Sequence, residues 1–247
     1  MNKSRPPAGV EPKGPSAAER GRGTLILLEG LLLGDNQLVV LHSQLGGVAG
    51  LEGTVQHLLG HSVLHLALDG ADAIPSLTSF DRVILLMPSL DRLGTHLIDI
   101  MSWVSAGGSL MLAMTPDNSS YLQVIASKLG IDSAGYDYVK AESIVPSEDF
   151  MLGGGERYEF SDPFDSSLSV SLRETAHVWA KTGDAGTPLI WSNDCGSGRT
   201  VVCNIGIYDK VMRGFYAAAI SLLGDATAYP VINSAVFYLD EFHSPVP

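Results

Sequence analysis

Between Phe80 and Thr115 the chain reads FDRVILLMPSLDRLGTHLIDIMSWVSAGGSLMLAMT, and two stretches within it, Val83 to Met87 and Leu110 to Met114, are apolar at every position. A strand that is apolar on both faces must be covered on both, which is the situation of a parallel strand in a sheet flanked by helices. Between the two runs, Leu93, Leu97, Ile98, Met101 and Val104 recur at helical spacing, and Gly107-Gly108 closes the segment. The stretch predicts strand, helix, strand, with the two strands parallel. It defines a scaffold and no reaction.

Units of the same kind precede it. Gln37 to Ser43 (QLVVLHS) reads as the first core strand, Leu51 to Leu59 as a helix, and Ser62 to Leu68 (SVLHLAL) as the second strand. Downstream, Tyr121 to Leu129 reads as a helix with Asn118 or Ser119 able to cap it and Gly130 to stop it. From Gly135 the pattern changes to short strand-like pieces at Glu142 to Val145, Arg157 to Phe160, Leu168 to Leu172 and His177 to Lys181. Pro188 to Ser192 and Thr200 to Asn204, joined by a turn containing Gly196 and Gly198, form a hairpin, and Tyr208 to Leu223 is a closing helix. The fold class expected is α/β, a three-layer, mostly parallel sheet with an antiparallel β excursion and hairpin in the C-terminal half. Residues 1–35 read as a disordered tail, 36–225 as the α/β domain, and 226–247 as a linker and a fresh apolar strand, Val231 to Leu239.

The formal charge of −12 repels phosphate, so neither nucleic acid nor an anionic membrane is expected as a partner. The apolar stretch Leu25 to Leu33 is broken by Glu29 and falls short of the roughly 20 residues of a membrane helix. Cys195 and Cys203 are too few for a disulfide framework or a cysteine zinc site; they read as two reduced thiols, with a contact across the hairpin as the alternative.

In doubly wound sheets ligands sit beyond the carboxyl ends of the strands. That places a candidate ligand-binding crevice at Ser43, Ser89, Asp117, Asn118 and Ser119. A nucleophilic enzyme would need Ser or Cys at a sharp strand-to-helix turn with a His to activate it; Ser89 and Ser119 lie at such turns but outside any G-x-S-x-G, and Pro88 and Pro116 each remove a backbone donor nearby. Gly46-Gly47 and Gly50 lack the spacing of a nucleotide-binding loop. His57, His61 and His65 are spaced four apart, yet Gly60 and the strand pattern of VLHLAL interrupt any shared helix face.

Taken together, FDRVILLMP, GGSLMLAMTP, the β excursion and the P-L-I-W…G-x-G-R-T-V-V hairpin resemble the class I glutamine amidotransferase-like (flavodoxin-like) fold, and similar architecture occurs in trehalose-utilisation-like domains. Met114-Thr115-Pro116 stands where that family's nucleophilic Cys would follow its strand, so the resemblance implies a non-catalytic member. The C-terminal INSAVFYLDEFHSPVP resembles the opening strand of a polysaccharide deacetylase module, which implies Asp240 as general base and Glu241 as ligand of a divalent metal. The family has Asp at the second position, and its later His-x3-His pair is absent from these residues. An amidotransferase-like domain before a deacetylase-like module resembles bacterial proteins associated with Pel-type exopolysaccharide synthesis. The expectation is a non-catalytic accessory or carbohydrate-associated domain of an exopolysaccharide-modifying protein, with no cofactor for this chain, a divalent metal only in a longer deacetylase module, and polysaccharide or exopolysaccharide synthesis proteins as partners. A small hydrolase or amidotransferase-like enzyme at the sheet's carboxyl edge and a protein-interaction domain are the alternatives. The compartment stays open: reduced thiols fit the cytoplasm, and polysaccharide modification fits export.

Overall fold

A computed structural model of the chain describes residues 76–87, 89–206 and 212–224, together with the backbone of two strands at 23–29 and 63–68. In chain order the strands are β1 (Gly23–Glu29), β2 (Val63–Leu68), β3 (Phe80–Leu86), β4 (Ser109–Leu112), β5 (Ile131–Pro146), β6 (Tyr158–Leu172), β7 (Ala176–Thr182), β8 (Pro188–Cys195) and β9 (Gly198–Cys203). The helices are α1 (His96–Ser105), α2 (Ser120–Ile125) and α3 (Arg213–Ser221), and α2 runs into a 3-10 turn, Ala126–Leu129.

The strands form one sheet in the order β2-β1-β3-β4-β9-β8-β7-β5-β6. From β2 to β9 every pairing is parallel, and from β9 to β6 every pairing is antiparallel. The two apolar runs pair as expected, Val83 with Leu110, Ile84 with Met111 and Leu85 with Leu112.

Successive residues of a strand point to opposite faces, and the buried side chains sort accordingly. Val83, Leu85, Leu110 and Leu112 pack on one face with Leu97, Ile100, Met101 and Val104 of α1 and Leu122 and Ile125 of α2. Ile84, Met111, Ile190, Val201 and Cys203 pack on the other with Phe215, Tyr216, Ala219 and Ile220 of α3. Helix, sheet, helix is the three-layer arrangement. Within α1 the buried set runs 97, 100, 101, 104; Ile98, grouped with the core by the sequence pattern, points outward and is 54% exposed.

Gly23–Glu29, expected within a disordered tail, is instead β1, hydrogen-bonded between β2 and β3. TLILL is itself an apolar run of the kind that a sheet covered on both faces takes up, and the charged Glu29 ends it. The strand expected at 37–43, the helix at 51–59 and the strand at 231–239 lie outside the described residues. The closing helix is described from Arg213. Both thiols are free and buried, and they do not oppose one another: Cys203 faces Ile190 and Cys195 faces Gly198 across the hairpin.

Several buried polar side chains hold the layers in register. The indole Nε1 of Trp191 donates to the carbonyl of Leu129, and both Asn193 Nδ2 and Thr200 Oγ1 donate to that of Lys128. These are carbonyls at the end of the α2 turn that a helix cannot satisfy internally. Asn204, just past β9, donates through Nδ2 to the carbonyls of Leu168 and Pro188 and accepts the Leu168 N–H on Oδ1. Its side chain thereby acts as a one-residue strand against β6.

Candidate functional site

The carboxyl edge of the parallel strands carries Ser89, Asp117, Asn118 and Ser119; Ser43, Asp240 and Glu241 lie outside the described residues. Asn118 and Ser119 are committed to architecture. Asn118 Nδ2 donates to the carbonyls of Ala134 and Gly135 at 3.3 and 2.8 Å, its Oδ1 accepts from Gln123, and Ser119 Oγ accepts the Leu122 N–H as the N-cap of α2. These bonds bring the start of β5 against the loop that follows β4. Thr115, in the Met114-Thr115-Pro116 stretch where the amidotransferase resemblance would place a nucleophile, is only 5% exposed. Ser89 is half-buried in extended backbone at the head of the 3-10 turn Leu90–Leu93. His96 and His177 serve elsewhere: His96 sits 3.9 Å from Asp99 on α1, and the His177 ring lies against Trp179, 4.1 Å between centroids.

Asp117 remains exposed and faces Tyr138. Burial, and then the Asp117 carboxylate, hold the Tyr138 phenol above its ordinary pKa, because a second negative charge beside the first is unfavourable. Tyr136, two residues away on β5, is 85% exposed. The carboxyl edge thus presents two surface tyrosines and a carboxylate.

A partly open cleft lies at the opposite edge. Asp81 and Arg82 at the start of β3, Gly107 and Ser109 at the start of β4, Asp194 and Gly196 to Arg199 at the β8–β9 turn and Leu222 to Gly224 after α3 surround a cleft of about 510 Å³. Arg199 Nε donates to Asp194 Oδ1 at 3.0 Å and its Nη1 to the Leu222 carbonyl at 3.3 Å, which fixes the plane of the guanidinium. A Cβ at Gly198 would overlap the carbonyl oxygens of Val104 and Gly108, so only glycine lets the turn lie on the α1–β4 corner. Sequence reasoning passed over this cleft. Its one sequence signal was the pair Gly196 and Gly198, read as a turn.

Cys203 offers no nucleophile: burial drives its pKa far above the ordinary thiol value. Among the described residues no group of three or more His, Cys, Asp or Glu is placed to hold a metal ion, and no helix is long and apolar enough to cross a membrane. Asp240 and Glu241 are two carboxylates adjacent in sequence, with fewer oxygens than the full coordination shell of a divalent cation.

A family model described as an uncharacterised protein conserved in bacteria, DUF2194, matches residues 25–172 and 160–247. The chain belongs to this family. No curated protein matches the DUF2194 chain in sequence. Among solved structures it is similar to the cytoplasmic protein STM1381 of Salmonella typhimurium LT2, with a TM-score of 0.60 at 13% identity over 80% of this chain and 96% of that one. It is also similar to a thua-like protein of Bacteroides uniformis, TM-score 0.56 at 9% identity, covering 87% and 95% of the two chains. The exo-beta-1,4-mannosidase Op5Man5 of an Opitutaceae bacterium matches with a TM-score of 0.51 at 18% identity over 84% of the DUF2194 chain, which spans only 37% of the mannosidase. These likenesses establish an α/β fold of amidotransferase-like type.

Proposed function

We propose that the chain is a non-catalytic, carbohydrate-associated accessory domain, acting within or beside a protein that modifies a bacterial exopolysaccharide. The observation that carries the first half is the fate of the carboxyl edge. Where an enzyme of this fold would keep a nucleophile and its base within hydrogen-bond reach, Thr115 is buried, and Asn118 and Ser119 spend their hydrogen bonds on the loop and on α2. The second half draws on the mannosidase likeness, in which this fold forms about a third of a larger chain whose name is that of a carbohydrate-active enzyme. The finer reading, an exopolysaccharide deacetylase-like module beginning at the apolar stretch Val231 to Leu239 and including Asp240 and Glu241, rests on the sequence resemblance.

The test pairs catalysis with binding. Purified protein is offered p-nitrophenyl acetate and glutamine, and in parallel is sedimented with chitin and with deacetylated chitin. No turnover together with retention on either polymer is the expected result. Ester hydrolysis abolished by Ser89→Ala or Ser119→Ala would overturn the non-catalytic reading, and failure to sediment with any polysaccharide would overturn the carbohydrate reading in favour of a protein-interaction domain.

A further inference from the structure

We infer that the cleft at the amino edge of the sheet, between the β8–β9 turn and the end of α3, is a binding site for a neutral, polyhydroxylated chain such as an oligosaccharide. The inference rests on the carbohydrate reading above and places its contact surface away from the expected carboxyl edge. Three features of the cleft lead to it.

The first is charge. In a chain of net charge −12, this concavity is lined by two aspartates, Asp81 and Asp194, and two arginines, Arg82 and Arg199. The balance discriminates against strongly anionic and strongly cationic ligands alike.

The second is the kind of hydrogen bonding on offer. A sugar hydroxyl both donates and accepts, so neighbouring hydroxyls are met best by a donor and an acceptor held side by side. The Arg199–Asp194 pair supplies that arrangement. Its guanidinium is anchored by the Leu222 carbonyl, while Asp194 is 76% exposed at its side chain and keeps its second carboxylate oxygen for a ligand. Ser109 and Ser197 add hydroxyls to the same walls. Leu222, partly exposed, gives the lining its apolar part, suited to the C–H face of a sugar ring.

The third is rigidity. The floor is a glycine turn seated on the carbonyls of Val104, Ser105 and Gly108, with the Ser197 N–H donating to the Ser105 carbonyl at 3.0 Å and the Arg199 N–H to the Gly108 carbonyl at 3.2 Å. A preformed floor spares a ligand the entropy of ordering it. At about 510 Å³ the space is within the range of small-ligand sites.

The experiment is calorimetric titration of the full 247-residue chain with the tetramers of N-acetylglucosamine and of mannose. Four proteins are compared: the native protein, Ser197→Trp, Asp194→Asn, and Tyr136→Ala combined with Tyr138→Ala. Ser197 is exposed on the turn, so its tryptophan intrudes on the cleft without entering the core. Saturable binding of one tetramer, weakened about tenfold or more by Ser197→Trp and by Asp194→Asn and unchanged in the tyrosine variant, is expected; tenfold is the scale of one lost hydrogen bond at a binding site. Binding that survives both cleft variants but is lost in the tyrosine variant would overturn the cleft and leave the carbohydrate reading standing. Absence of binding by the native protein to both tetramers, with no retention on chitin, would overturn both.

Discussion

Replacing Asn204 by alanine isolates the contribution of a single buried amide to joining the two halves of the sheet. Asn204 is completely buried, and its side chain makes three hydrogen bonds, from Nδ2 to the Leu168 carbonyl at 2.8 Å and the Pro188 carbonyl at 3.0 Å and to Oδ1 from the Leu168 N–H at 2.7 Å. Leu168 is itself 1% exposed, so water does not replace the amide. Alanine removes the three bonds and leaves an N–H and two carbonyls to lose their partners in a dry site. A buried unsatisfied donor costs about 1–3 kcal/mol, and carbonyls, which have two lone pairs, cost less. The expected total is about 3 kcal/mol. For a chain of this size that lowers Tm by about 6–12 °C. Asn204→Asp should be worse still, because it keeps the acceptor but turns the donor into a negative charge against two carbonyls. Thermal and urea unfolding followed by circular dichroism measure both, with Asn118→Ala, at the half-buried edge, as a milder comparison. A loss below about 1 kcal/mol for Asn204→Ala, with an unchanged urea slope, would refute the argument that this amide closes the sheet.

Two further outcomes follow from the structure. Gly198→Ala drives a methyl into the backbone carbonyls of Val104 and Gly108, whereas Gly186→Ala meets no atom within 4 Å and suffers only from its φ of +65°; the first should abolish soluble folded protein, and the second should cost about 1–2 kcal/mol by urea unfolding. Tyr138 should ionise late in an absorbance titration at high pH, and Asp117→Asn should move its midpoint back part of the way, burial being the larger cause. Since the folded-state pKa is the raised one, the associated stability is present below the ordinary phenol pKa and is lost as pH climbs through the folded value. A late midpoint that ignores Asp117→Asn would show that the carboxylate does not act on the phenol.

The parallel half of the sheet was legible because its pattern is local. Val83 to Met87 and Leu110 to Met114 announce strands covered on both faces without reference to anything distant. β1 was missed for a related reason: TLILL carries the same signal but follows a basic stretch rich in Pro and Gly, and composition was allowed to outweigh pattern. The long hairpin of β5 and β6 emerged only in fragments, because its register shifts at four places between Ile131 and Ser143 and each shift breaks the two-residue alternation. Thr200 and Asn204 end an expected strand and Asn193 falls in the expected turn, and none of them signals its role, since their partners at Lys128 and Leu168 are fixed only by the fold. The cleft was illegible for the same reason: its lining comes from residues 81–82, 107 and 109, 194 and 196–199, and 222–224, and no one of these segments carries a motif.

The pairing of β4 with β9 joins Ser109 to Arg199 and Leu112 to Val202, so the middle of the sheet is closed by segments that leave the ribosome far apart in time. Until β9 has been made, Leu110, Met111 and Leu112 present an uncovered backbone edge flanked by side chains that are wholly buried in the finished protein. Such an edge is a template for pairing with any other extended chain. Protein cut short anywhere between β4 and β9 should therefore accumulate as aggregate rather than as a smaller soluble domain, and expression boundaries for this fold belong outside that interval.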